Sequence, residues 1–105
     1  MTEQTIQNSI RKAVSPYCVI FRMNVGAVRT ADGRIFRTGV PPGFSDLFGV
    51  RISDGRAVFI EVKNASGRVS PQQKNFIERM REIGAIAGVC RSAEEALKLI
   101  LQEEN

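Results

Sequence analysis

The run Ala57-Val-Phe-Ile-Glu-Val-Lys63 constrains the fold most, because five of its seven residues are apolar. So apolar a run predicts a strand buried on both faces and central in its sheet, and such a strand needs a layer of structure on each side. The preceding segment supplies a partner: residues 46–52 read as a strand, with Asp54-Gly55 as the hairpin turn between them. Farther on, Ala85 to Cys90 reads as a short buried strand.

Helices fall around these strands. Thr2 followed by Glu3 and Gln4 opens a helix whose Ile6, Ile10, Ala13 and Val14 share one face, and Ser15-Pro16 ends it. Residues 18–25 read as a strand broken by Gly26, and residues 27–37 as a hairpin excursion turning at Asp32-Gly33. Residues 38–45 form a loop rich in glycine and proline, and residues 64–69 form another. Ser70-Pro-Gln-Gln73 places an N-cap, a proline at the first helical position and a glutamine three residues after the cap, a capping box. Phe76, Ile77, Met80 and Ile83 give that helix its core stripe, and Gly84 stops it. Ser92 and Glu95 suggest a second capping box, ahead of a stripe of Ala96, Leu97, Ile100 and Leu101. The predicted order is α-β-(β)-β-β-α-β-α, an α/β (α+β) domain over residues 1–105 with a mixed sheet flanked by helices.

Composition limits the chemistry. With no histidine among 105 residues, a Ser-His triad, a histidine general base and a His-containing zinc site are excluded. What is left is carboxylates, lysines, hydroxyls, amides and oxygen-ligated metals. Cys18 and Cys90 lie inside apolar runs and read as buried strand cysteines, with a disulfide or a nucleophilic role as the alternatives. No apolar stretch nears the ~18 residues of a membrane span, and the first residues lack a secretory pattern, so a reduced cytosolic setting is expected. Phosphate-cradling glycine loops of the P-loop and dinucleotide-binding types are absent, so no nucleotide cofactor is expected.

Charge is unevenly spread. Residues 1–93 hold fourteen basic and seven acidic side chains, whereas residues 94–105 hold one basic and four acidic. Arg22, Arg29, Arg34 and Arg37 meet only Asp32 in the stretch 22–37. Such a distribution fits either an ordinary solvated surface or a side that faces a polyanion.

One constellation carries chemistry. Glu61 and Lys63, two apart on a strand, share a face, while Val62 points to the other. The hairpin can bring Asp46 beside Glu61, since both lie far from its turn. Two carboxylates and a lysine on one side of a sheet are costly to bury unpaired, and an oxygen-loving cation such as Mg²⁺ would relieve the repulsion. Read in isolation, Glu-x-Lys on a strand is usually an ion pair at the solvent face.

Gly39-Val-Pro-Pro-Gly-Phe-Ser-Asp-Leu-Phe-Gly49, Phe59-Ile-Glu-Val-Lys63 and Ser70-Pro-Gln-Gln-Lys-Asn-Phe76, in this order and spacing, resemble the VRR-NUC (virus-type replication-repair nuclease) family of the PD-(D/E)xK superfamily. Glu3 with Ile6-Gln7, Arg22-Met-Asn-Val-Gly26 and Gly84-Ala85 extend the resemblance over nearly the whole chain. The resemblance implies a restriction-endonuclease-like fold in which Asp46 and Glu61 bind Mg²⁺ or Mn²⁺ and Lys63 is the catalytic lysine. It further implies the Val62 backbone carbonyl as a metal ligand, Gln73 beside the catalytic cluster, and Glu3 as an acidic residue that can complete the metal site. Stand-alone members of the family are small homodimers that cut branched junction DNA, and their size suits a phage or prophage gene in a bacterial cell. One departure is Ser45, where the family usually has proline before the motif aspartate.

Bland readings stand beside the outer members of this set. Gln73 could only cap its helix, Glu3 could only favour the positive end of its helix dipole, and Phe44 and Phe48 read as core rather than base-stacking residues. Arg22, Arg29, Arg34, Arg37, Arg51 and Arg68 are the candidate phosphate contacts. The leading expectation is a metal-dependent DNA endonuclease selective for branched or four-way junctions. The alternatives are a non-catalytic nucleic-acid-binding module on the same fold and a small interaction domain in which Glu61 and Lys63 merely pair.

Overall fold

The chain runs α1 (Glu3–Val14), β1 (Cys18–Arg22), β2 (Ala27–Arg29), β3 (Ile35–Arg37), β4 (Leu47–Arg51), β5 (Ala57–Val62), α2 (Pro71–Glu82), β6 (Ile86–Cys90) and α3 (Ala93–Leu101). This computed structural model describes residues 1–23, 27–37 and 39–102. Thr2 caps α1, its hydroxyl accepting the Thr5 N–H at 3.1 Å, and Ile6, Ile10 and Val14 recur on the buried face.

The main sheet has the order β1-β4-β5-β6, which puts the apolar run of β5 in its interior. β4 and β5 form an antiparallel hairpin in the register Leu47↔Ile60 and Phe48↔Phe59. β6 lies parallel to β5, Val58 opposite Ile86, after a crossover through α2. On one face, α1 and α3 bury Ile6, Ile10, Val14, Ala96 and Ile100 against Leu47, Val58, Ile60 and Val62. On the other, Phe76, Ile77 and Met80 of α2 cover Phe59 and Ala87. The result is a mixed sheet between two helical layers, as the residue pattern requires.

Four phenylalanines tie the loop before β4 to that second layer. Phe44 stacks on Phe76 with centroids 4.8 Å apart and meets Phe59 edge-on at 5.7 Å, and Phe48 lies 5.1 Å from Phe59. Such pairs contribute about 0.5–1.5 kcal/mol each beyond area burial. Phe44 and Phe48 are therefore core residues, not base-stacking platforms.

Several expectations are corrected. β1 ends at Arg22 rather than Val25, although the Met23 N–H still reaches the Asp46 carbonyl at 2.8 Å; residues 24–26, including the expected break at Gly26, lie outside the described residues. The excursion is the expected hairpin, β2 pairing antiparallel with β3 as a separate two-stranded sheet, so only the single parenthesised strand of the predicted order is corrected, to two. Ile83 and Leu101 are not core residues, being 61% and 50% exposed. Each sits at the C-terminal end of its helix, past the residues that pack on the sheet. The second capping box is incomplete: Ser92 accepts the Glu95 N–H at 3.1 Å, but the Glu95 carboxylate takes the Arg91 N–H at 2.8 Å. Cys18 and Cys90 are free and buried, and burial pushes the Cys90 thiol up to about 12, which makes it a packing residue and not a nucleophile. No helix among the described residues is long and apolar enough to cross a membrane.

Candidate active site

Continuing the β4–β5 register by one residue sets Asp46 across from Glu61. Alternation along β5 turns Phe59, Glu61 and Lys63 toward α2 and leaves Ile60 and Val62 in the layer of α1 and α3. Glu61 is only 1% exposed. The Asp46 carboxylate Oδ2 accepts the Val62 backbone N–H at 2.9 Å, which fixes it at the mouth of the hairpin. Lys63 places Nζ 3.7 Å from Glu61 Oε1, and its own backbone N–H is held by the Cys90 carbonyl at 3.2 Å.

Gln73 performs both tasks that its position suggests. Its side-chain Oε1 accepts the Ser70 N–H at 3.0 Å, closing the capping box, while Nε2 donates to Glu61 Oε1 at 3.0 Å. The amide thus links the start of α2 to the buried carboxyl. Gly43 brings the preceding loop against the same helix start. It has φ +96°, and a Cβ there would lie 2.9 Å from the Gln72 carbonyl oxygen.

One oxygen of the cluster is left over. Glu61 Oε2 is buried with no hydrogen-bond partner, as are Ser45 Oγ and Gln7 Oε1 among the described residues. Burial raises the Glu61 pKa to about 8, with the charge and close approach of Asp46 adding to the rise. The Lys63 ammonium and the Asp46 backbone N–H pull it partly back. Lys63 alone therefore does not offset burial and the neighbouring Asp46, and without a cation Glu61 holds its proton into the neutral range.

That imbalance fits a divalent cation. The orphaned Glu61 oxygen and the Asp46 carboxylate are hard oxygen donors beside each other, the chemistry that Mg²⁺ or Mn²⁺ prefers. Glu3 does not join them as a third carboxylate: no group of three His, Cys, Asp or Glu among the described residues is arranged around a metal. Its carboxylate lies instead beside Gly67, where a Cβ would come within 2.9 Å of Glu3 Oε2, 3.1 Å of Asn64 Oδ1 and 3.3 Å of Lys63 Cδ. Glu3 also occupies the first turn of α1, so the dipole reading holds at the same time.

The VRR-NUC domain model matches residues 1–94. The chain belongs to the VRR-NUC family. A solved structure described as a VRR_NUC domain shares its fold, with a TM-score of 0.66 and 22% identity over 99% of this chain and 100% of that one. A search of the curated proteins returns no match. The Asp46 and Glu61-Val-Lys63 pattern accords with the PD-(D/E)xK superfamily, and VRR-NUC membership makes this a nuclease-type domain acting in general on nucleic acid.

On this VRR-NUC domain the candidate phosphate contacts separate into groups. Arg22 is exposed at the end of β1 opposite Leu47, one residue from Asp46. Arg68 is exposed in the loop that follows Lys63. Arg29 and Arg34 are exposed on the β2–β3 ribbon, Arg34 pairing with Asp32 at 3.5 Å; Arg37 lies in β3. Arg51 does not join them. Its guanidinium binds Asp54 at 2.5 and 3.1 Å and the Ile100 carbonyl at 2.7 Å, at the turn end of the hairpin. Its charge anchors the end of α3 instead of facing a ligand.

Residue reading alone gives no role to Gln7, Ser45 or Arg91. Gln7 had one visible signal, a polar side chain on the face of Ile6 and Ile10, one turn from Glu3. Ser45 had another, its place beside the motif aspartate, and it is fully buried. Arg91 had none, since a basic residue after a buried strand reads as surface.

Proposed function

We propose that this domain is a Mg²⁺- or Mn²⁺-dependent endonuclease that hydrolyses DNA phosphodiester bonds and prefers branched or four-way junction DNA. The observation that carries the reading is the buried, unpartnered Glu61 Oε2 set beside Asp46 and Lys63. Asp46, Glu61 and the Val62 backbone carbonyl would hold the cation, with Glu3 reaching the site only at its Lys63 edge. When bound, the ion supplies a more acidic water and polarises the scissile phosphate. Gln73 holds Glu61 through Oε1, which would leave Oε2 available to the cation. Lys63 presents its ammonium to an oxygen that gains negative charge in the transition state. Arg68, in the loop after Lys63, and Arg22, at the end of β1, hold neighbouring phosphates, while Arg29 and Arg34 extend the basic surface along the ribbon.

A symmetric homodimer would set two such sites on opposed strands of a junction. Incubation with four-way junction and linear duplex DNA, with Mg²⁺ or Mn²⁺, is expected to give preferential junction cleavage that chelator abolishes. Glu61→Ala and Lys63→Ala should each lose it. Equal cutting by wild type and both variants would defeat the assignment, and salt-sensitive binding without cutting under either cation would mark a non-catalytic binding module. Sedimentation at micromolar concentration reads the oligomeric state.

A further inference from the structure

We propose that Arg91 is a positioning residue for Lys63 and Glu3, acting through the turn that follows β5. Arg91 is the first residue after β6, and it sits next to Cys90, whose carbonyl accepts the Lys63 N–H. Its guanidinium Nη1 donates to two carbonyls of that turn, Asn64 at 2.5 Å and Gly67 at 2.8 Å. The turn closes on itself, the Gly67 N–H reaching the Asn64 carbonyl at 3.2 Å. One half-buried cation therefore holds both ends of a four-residue turn whose first residue directly follows Lys63.

The turn is where Glu3 and Lys63 meet. Glu3 Oε2, Asn64 Oδ1 and the Lys63 stem at Cδ crowd around the same face of Gly67. Glu3 comes from α1 and Lys63 from β5, and the described contacts give them no direct bond to each other. Gly67 is their common wall, and its position is set from behind by Arg91. Carbonyls bonded to a charged donor are held more firmly than by a neutral one, and a planar guanidinium fixes direction as well as distance. Release of the staple lets the turn shift toward Glu3 or Lys63, which misplaces the ammonium without removing it. A misplacement of about 1 Å is enough to cost ~10²-fold in rate.

This inference rests on the nuclease reading for its kinetic consequence, but the staple can be tested separately. Hydrogen exchange on Arg91→Gln should show the Gly67 amide, which donates to the Asn64 carbonyl, exchanging at least about tenfold faster, with β5 and β6 protected as in wild type. Unchanged protection of the turn, or loss of protection throughout the sheet, overturns the staple. This readout stands even if the wild-type protein cuts no DNA, an outcome that would sink the nuclease reading alone.

With cleavage established, Arg91→Gln should lower kcat about 10–50-fold while KM and metal-free junction affinity stay within about twofold. Arg91→Lys should recover part of the loss, since an ammonium can still reach one carbonyl. In a Lys63→Gln background the Arg91→Gln change should cost less than about twofold, because the residue it positions is already gone. Additive losses in the double variant, or a fall in DNA affinity that matches the fall in kcat, would show that Arg91 acts elsewhere.

Discussion

Gln73 Nε2 lies 3.0 Å from Glu61 Oε1, so the side chain that caps α2 also holds the buried carboxyl of β5. Capping and chemistry compete for a glutamine only if they need the same atom, and here they use opposite ends of the amide. Gln73→Ala should therefore cost about 1–2 kcal/mol in stability and also lower cleavage. Gln73→Glu keeps an oxygen for the Ser70 N–H but faces Glu61 with a second acid. It should retain most of the stability at low pH and lose activity. Urea denaturation beside a cleavage assay separates the two functions, and a Gln73→Ala protein that cuts at the wild-type rate would contradict the link.

The Glu61 shift makes the metal-free protein pH-dependent. Its folded pKa, about 8, lies above the ordinary 4.5, so the folded state holds more protons than the unfolded state between these values. That stabilisation is complete below the unfolded pKa and is lost as pH rises through about 8. Stability in chelator should fall across this window. Glu61→Gln should flatten the slope and stabilise the metal-free protein near pH 8.5 by ~1–3 kcal/mol. Thermal melts at several pH values provide the check.

Mg²⁺ should act in the opposite sense. At a hundred times its Kd it should stabilise the wild-type fold by about 2.7 kcal/mol, and Asp46→Asn or Glu61→Gln should abolish the gain. A melting temperature insensitive to both ions would count against the metal site.

Gly43 should tolerate no side chain. Gly43→Ala meets both a strained φ and the Gln72 carbonyl, and should cost about 1–3 kcal/mol. Gly55 also has positive φ, but its Cβ would meet nothing within 4 Å, so Gly55→Ala should cost less. Because Gly43 lies between Phe44 and the start of α2, its substitution should also reduce cleavage, whereas Gly55→Ala should leave it near wild type.

The arginines predict a division of labour. Arg22→Gln and Arg68→Gln should each weaken junction binding and reduce the salt slope by about 1. Arg51→Gln should leave both unchanged while destabilising the fold, since it strands Asp54 and the end of α3. Filter binding across a salt series decides between these outcomes.

Much of this was legible in the residues. The apolar run of β5, the Asp54-Gly55 turn and the Ser70 capping box each follow local rules; the hairpin brings Asp46 beside Glu61 and Lys63, whereas only the family resemblance put Gln73 near them. What the sequence could not show was tertiary. Arg51 reads like any other arginine until α3 returns its last carbonyls to the hairpin. Arg91 carries no local signal because its partners lie 24 and 27 residues away. Ile83 and Leu101 continue a helical stripe, but the stripe does not reveal where the sheet beneath it stops.

The β4–β5 hairpin also has a parity. Side chains change sides at every step along a strand, so a slip of one residue would carry Glu61 into the layer of Ile10 and Ile100 and bring Val62 out in its place. The five residues between β4 and β5 contain none of the reactive groups, yet their number decides which side of the sheet receives the carboxylates. A single insertion there, at the opposite end of the hairpin from the cluster, could spare every residue of the proposed site and still leave the protein with no site at all.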